Sequence, residues 1–433
     1  MILLSIPSTG GGAVDPRFTM VSTGNRGVWI NTNTTANFSS AGVTSVVYTP
    51  STLPFGNTIL LNNNSIVNTS FVALTSIAGS LQLQVNAIVN PSFSALTSIS
   101  GQLNLGNNSI VTHGLTSLTS VTGTLTLSGN DIVTPGLSGL TTFTGTIDLN
   151  DNLIVNPGFG SLTVLNGTLS FILNQIVNPG FGSLTTINAG KTLNLNNNLI
   201  VTPGFTSLTA INGTLNLSNN AIVTPGFSSF TSLAGTLILS GNNIVNPGFA
   251  NLTSITGNLY LNVNDIVTPG FTALVAAGGS ALTGILTLDS NQIVTHGFGA
   301  WTSLPGTLYL SNNLLTSPDF NNLISLAGYL YLDTNSISTA SFSNLTSIAG
   351  LLNLATNPIT SVDFTSLDTL TGSLNLDGNA LTQGDLDNFI TSLYNNLVSY
   401  SGGTLSVQSM TGGGDVTVCP DYGNLTTLIT IIY

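Results

Sequence analysis

The sequence predicts a β-dominated solenoid, and three periodic observations predict it. An asparagine recurs at Asn64, Asn86, Asn108, Asn130, Asn152, Asn174, Asn198, Asn220, Asn242, Asn264, Asn291, Asn313, Asn335, Asn357 and Asn379, and all but two of the intervals are 22 residues. A column of large apolar residues, from Phe71 and Phe93 to Phe364 and Leu386, follows each asparagine seven residues later. Ahead of each asparagine the apolar residues alternate, as in Leu215-Asn216-Leu217. Self-similarity at a fixed period of this length marks a chain whose units bury their apolar faces only by stacking.

The repeat reads Gly-Thr-Leu-x-Leu-x-x-Asn-x-Ile-Val-x-Pro-Gly-Phe-x-x-Leu-Thr-x-Ile-x. It resembles the leucine-rich repeat family, whose signature segment carries alternating apolar residues that run into a strand and then an Asn. The resemblance spans roughly residues 56–397. The apolar residue ahead of the first strand Leu is displaced by one from the commonest form, since Ile211 precedes Asn212-Gly213-Thr214-Leu215. With its Gly just before the strand, this variant is similar to the repeats of receptor L domains and of some bacterial and phage proteins. The resemblance implies a leucine-rich repeat superhelix of about fifteen coils, with a parallel sheet on one face, little helix and one C-terminal capping helix.

The strand comes first in each coil. Strand side chains alternate, so Leu215 and Leu217 point inward and Asn216 outward. The recurrent Asn then turns inward, where its amide bonds backbone groups of adjacent coils that would otherwise be buried without partners. These asparagines are therefore read as a structural ladder, and the Phe column as a spine of the core. Pro-Gly on the far side is turn chemistry and argues against regular helices there. At ~4.8 Å per strand, fifteen coils make a sheet of roughly 70 Å, a rod or shallow arc. The two longer intervals, across Lys191 and across Gly278-Gly279, are expected to be loop insertions.

The ends are expected to differ from the coils. Residues 1–55 hold Gly10-Gly11-Gly12 and the β-type stretches Gly27-Val28-Trp29-Ile30 and Val43-Thr44-Ser45-Val46-Val47-Tyr48, and read as a cap and anchor, not as another repeat. The solenoid is assigned to 56–384 and a C-terminal cap to 385–433. In that cap Leu386, Phe389, Ile390, Leu393 and Leu397 follow helical spacing, and Thr382 with Asp385 supplies a capping start. One helix should close the stack, with β-like segments at Thr404 to Gln408, Asp415 to Cys419 and Leu425 to Tyr433. This order resembles the C-terminal cap of leucine-rich repeat proteins encoded in tailed-phage structural regions, which implies a virion.

Composition excludes several classes. Of 433 residues only 4% are charged; the positive ones are Arg17, Arg26 and Lys191, every acid is Asp, and the net charge is -12. Such a chain lacks the basic patch that nucleic acids require, and its charge disfavours attraction to anionic membranes. Mean hydropathy is positive, yet the apolar residues belong to coils and form no 18-residue run, so no membrane insertion is expected. Met1 to Pro7 has no positive n-region and too short an apolar stretch for a signal peptide. Cys419 is alone, which leaves no intramolecular disulfide and no thiol metal site. His113 and His296 replace the Pro of the Pro-Gly turn and lie eight repeats apart. With no Glu, only Asp pairs such as Asp148 with Asp151 remain for acid/base work. The chain is read as no enzyme, with no cofactor and no metal.

Function is then expected on the outward strand face. Its middle column is mostly small and polar until Tyr260, Tyr309 and Tyr331, joined by Tyr329 one position earlier and by Asp289 and Asp333 just past the second strand Leu. Aromatic faces flanked by carboxylates and amides suit sugars, whose C–H face stacks while hydroxyls need acceptors; tyrosines also simply suit strands. Three classes follow. The first is a virion surface or tail fibre protein recognising a host glycan or protein, an adhesion role. The second is an architectural component of a viral shell or extracellular filament. The third is an ice-binding or adhesin protein, ice binding being suggested by the column Thr124, Thr146, Thr168, Thr192, Thr214 and Thr236. Expected partners are other virion or filament proteins through the N-terminal region and C-terminal strands, a host surface glycan or protein, and further copies of the chain. The expected setting is a virion surface or the extracellular space.

Overall fold

Stacked coils, each contributing one three-residue strand to a parallel ladder, form the architecture. The computed structural model describes residues 2–5, 26–28, 35–48, 52–53, 56–399 and 402–433, divided into two compact units: residues 1–208 with 212–221, and residues 209–211 with 222–433. In the first unit the ladder runs from Thr35–Asn37 through Thr58–Leu60, Ser80–Gln82 and Gln102–Asn104 to Thr214–Asn216, always parallel and in register. In the second it runs from Thr236–Ile238 to Thr430–Ile432 in the same way. The central residue of each strand is buried between two outward neighbours, as Leu215 is between Thr214 and Asn216. Each unit is thus a parallel β-solenoid.

The turn after the strand explains the asparagine column. The residue before each Asn often takes a left-handed backbone conformation, for example Asp151 at φ 53° and Asn197 at φ 56°. That reversal aims the next side chain into the coil. Asn130 Nδ2 donates to Leu127 O (2.8 Å) and Ser128 O (3.2 Å) of its own coil and to Leu105 O (3.1 Å) of the coil before, while its Oδ1 accepts from Ile110 N–H (3.1 Å). Leu127 O also accepts from Asn152 Nδ2 (3.0 Å), so one carbonyl is shared by two successive amides. Buried backbone groups in a tight bend thereby find partners that no strand could supply.

Phe rings stack behind this ladder. Phe181 lies 5.9 Å from Phe205 at 6° in the first unit, and Phe249 lies 5.8 Å from Phe271 at 2° in the second, every ring fully buried or nearly so. The Pro-Gly turns hold their Gly at positive φ, as at Gly136 (60°) and Gly158 (78°). The Gly before most strands, replaced by Asn57 ahead of Thr58 and by Lys191 ahead of Thr192, has a different reason. A Cβ on Gly350 would lie 1.7 Å from Gly328 O, and one on Gly123 would lie 1.9 Å from Gly101 O. Backbones of successive coils touch there, and only hydrogen fits between them.

Four departures from the sequence expectations stand out. First, the ladder begins inside the segment expected to contain no repeat: Thr35–Asn37 pairs with Thr58–Leu60, and Ala36, Phe38 and Val43 are buried. Beside it, Ile2–Ser5 runs antiparallel to Arg26–Val28 and to Ser45–Tyr48, and Ser45–Tyr48 runs parallel to Asn68–Ser70. Gly10-Gly11-Gly12, Arg17 and Trp29-Ile30 lie outside the described residues. Second, the insertion around Gly278 is not a plain loop but a short helix α1 (Thr272–Ala277) followed by a 3₁₀ turn (Gly279–Ala281), which packs over the buried Trp301. The extra residues at Lys191, by contrast, make a tight turn in which Lys191 N–H bonds Asn188 O at 3.1 Å.

Third, helix α2 (Gln383–Asn396) starts with a Thr382–Asp385 capping box and buries Leu386, Phe389, Ile390 and Leu393, but it does not close the stack. Strands Thr404–Ser406 and Thr430–Ile432 continue the ladder after it. Fourth, Asp415 to Cys419 is not β-like: Asp415 accepts from Thr417 N–H and starts a 3₁₀ turn, Val416–Val418, with a one-turn helix α3 (Tyr422–Leu425) after it. The short polar side chain competes for the local N–H and holds the backbone in a turn.

Candidate functional site

On the strand face of the second unit, Tyr260, Thr287, Tyr309, Tyr331 and Asn353 form one in-register column across five adjacent strands. Tyr309 and Tyr331 stack with centroids 4.4 Å apart at 7°. Burial, then the neighbouring Tyr309, push the Tyr331 phenol above its ordinary range. Tyr329, on the same strand as Tyr331, is 49% exposed. The column therefore presents an aromatic pair, with a further ring at its rim.

The next column carries the acids. Asp333 Oδ1 accepts from Ser311 Oγ (2.6 Å) and Asn353 Nδ2 (2.9 Å), which fixes that carboxylate beside the Tyr331 strand. Asp289 follows Thr287 by two residues on the same strand face, and burial, with the charge of Asp333, pushes its carboxyl up against the pull of its own backbone N–H. Five of the six expected site residues, Tyr309, Tyr329, Tyr331, Asp289 and Asp333, thus lie on adjacent strands. Tyr260 lies on the strand next to that of Asp289 and is separated from the other tyrosines by the Thr287 strand.

Sequence reasoning missed Thr287. It is only 6% exposed, donates to Asn262 Oδ1 (3.2 Å) and accepts from Leu261 N–H (3.1 Å). It interrupts the tyrosines with a low, fixed floor. The signal was present as the one small residue within the Tyr column, but nothing in a linear reading marks a short side chain as a gap.

Other candidates have structural surroundings. Cys419 is buried, with Sγ 3.7 Å from Asp415 O, and burial together with Asp387 pushes the thiol up to about 12, far from a nucleophile's range. Asp148 accepts from Asn150 N–H at 3.1 Å, while Asp151 occupies the left-handed bend and is exposed. A cavity of about 250 Å³ between α2 and the strand Ser361–Asp363 contains Asp363 and Asp385, but Asp363 is bonded by Thr365 and Asp385 caps the helix. Thr124, Thr146 and Thr168 do form a register ladder, with Thr126, Asp148 and Ser170 beside them. Among the described residues no group of His, Cys, Asp and Glu is arranged to hold a metal, and no helix is long and apolar enough to cross a membrane.

Both histidines act as turn residues. His113 Nδ1 accepts from Leu115 N–H (3.0 Å); His296 Nδ1 accepts from Phe298 N–H (2.9 Å), and its Nε2 bonds Pro318 O at 2.5 Å. Burial lowers His113 to about 4 and lowers His296 as well. The fold therefore prefers neutral imidazole, so this contribution is complete above the ordinary value of 6.5 and is lost as pH falls toward the folded value. For His113 the loss amounts to about 3 kcal/mol. Melting temperature should fall between pH 6.5 and about 4, and less steeply in a His113→Pro variant, which differential scanning calorimetry across that range would measure.

Compared by sequence, the chain matches no protein-family model and no curated protein. Compared by structure, it is similar to an internalin from Listeria monocytogenes at 18% identity and a TM-score of 0.40, covering 77% of this chain and 86% of that one. It is similar to YopM from Yersinia enterocolitica at 17% identity and 0.35, covering 88% of each chain. A chain of the Drosophila Toll–Spatzle complex matches at 18% identity and 0.45 over 77% of this chain, which spans 55% of that chain's length.

Proposed function

We propose that the protein is a non-enzymatic recognition scaffold whose strand face in the second unit binds a glycan, or a glycan-bearing protein, of a host surface. The observation that carries this reading is the Tyr309–Tyr331 stack beside Asp289 and Asp333. Stacked rings give a sugar its apolar footing, and fixed carboxylates and amides give its hydroxyls acceptors and donors. Elsewhere the outward strand positions are mostly small and polar, so a ligand would find its aromatic anchor in one place. The setting proposed is a virion surface, as part of a fibre, or the extracellular space.

A glycan array tests it. Wild-type protein should give signal that falls about tenfold or more in a Tyr309→Ala/Tyr331→Ala double variant whose melting temperature stays close to wild type. A second reading, an architectural role in a shell or filament, is favoured by the exposed valines of the first unit, among them Val67, Val111, Val155 and Val177, each 45–49% exposed at one position of the repeat. A blank array together with ordered self-association in solution would replace the first reading with the second.

A further inference from the structure

The tyrosine column has a notch of one strand's width. Tyr260 and Tyr309 stand two strands apart, ~9.6 Å at ordinary strand spacing, with buried Thr287 between them. Tyr309 stacks on Tyr331 at 4.4 Å and 7°, which leaves its other face turned toward the Thr287 strand. Ring contacts of ~3.5–4 Å on each side leave room for one saturated six-membered ring. Asp289 stands at the rim of this notch, two residues along the strand from its floor.

Charge narrows the choice of ring. The second unit holds eleven of the fifteen aspartates and none of the three basic residues, Arg17, Arg26 and Lys191. No lysine or arginine of this unit can therefore compensate the partly buried Asp289 or its neighbour Asp333, and a field of one sign favours ligands of the other. A bare ammonium chain would meet those carboxylates yet leave the aromatic walls and the amides of Asn258 and Asn262 unused. A pyranose carrying an amine uses all three.

We propose that the notch over Thr287, walled by Tyr260 and Tyr309, takes one residue of an amino-sugar polymer, with its C–H face on Tyr309 and its ammonium group on Asp289. The inference rests on the glycan reading above and names the class of sugar.

Titration calorimetry with a β-1,4-linked glucosamine hexamer, its N-acetylated counterpart and hexalysine, at about pH 6 where the amines are charged, tests it. The glucosamine hexamer should bind about tenfold or more tightly than the N-acetylated one, and weaken with added salt. Asp289→Asn should remove that preference, and Thr287→Tyr, which continues the tyrosine column through the notch, should abolish binding while circular dichroism stays unchanged. Equal affinity for the two hexamers, with binding still dependent on Tyr309, would overturn the inference and leave the glycan reading standing. Hexalysine binding as tightly as the glucosamine hexamer would reduce the site to a counter-ion patch and overturn it also. Absence of binding by both hexamers, beside a positive array, would sink the amino-sugar assignment alone; beside a blank array it would sink both.

Discussion

A Gly350→Ala variant should lose most of its folded population at room temperature or collect in the insoluble fraction. The added methyl carbon would meet Gly328 O at 1.7 Å, Gly328 C at 2.6 Å and Ala327 O at 2.8 Å, all backbone atoms that cannot swing aside. Relief requires the two coils to separate by more than an ångström, which strains the bonds from Gly350 N–H to Leu326 O and from Leu351 N–H to Gly328 O, each 3.2 Å. Coil contacts are all that hold a solenoid together, so the cost should exceed the ~3 kcal/mol typical of overpacked cores. Gly423→Ala is the control: it lies in α3 with nothing within 4 Å of its new carbon, and helix propensity favours alanine there by up to ~1 kcal/mol. Thermal unfolding followed by circular dichroism should show a near-normal melt for the second variant and none for the first. Similar melts for both would show that the coils tolerate a wider spacing.

Asn130→Leu should cost roughly 5 kcal/mol. The amide makes the four bonds to Leu105, Leu127, Ser128 and Ile110 described above, worth about 1 kcal/mol each, and a buried N–H left unpaired adds about 1–3 kcal/mol. Leu105 O and Leu127 O keep one amide each, from Asn108 and Asn152, so the orphan is Ile110 N–H. Urea denaturation would read the loss as a lower midpoint, with hydrogen exchange accelerated first at Ile110. Unchanged stability would mean that water replaces the amide in the bend.

Much of the fold was legible because the period is written in chemistry that stacking alone requires. The coil at residues 35–48 is hidden in the sequence for a physical reason: Ala41 stands where its own amide belongs, while Asn64 still makes the bonds that each rung makes to the coil before it, Nδ2 donating to Phe38 O at 2.9 Å and Oδ1 accepting from Val43 N–H at 3.0 Å. A ladder whose rungs serve both sides can omit one member. The β-like pattern at Thr404 to Gln408 marks the strand Thr404–Ser406, but its place in the ladder depends on α2 filling the far side of a coil, which periodicity cannot express. At the candidate site, counting along the repeat gathers the tyrosines and Asp289 with Asp333. Their stacking and the low floor at Thr287 depend on side-chain lengths across strands, information that a column of letters does not carry.

The shared carbonyls have a consequence for how such a chain changes over generations. Every interior rung offers the same donors and acceptors to the rung on either side, so no rung holds an address. Duplication or deletion of one 22-residue cassette by unequal recombination would present matching joints at both cuts. Copy number can drift while the joints stay sound, and what gives any coil an individual identity is the handful of outward residues that differ from the cassette average.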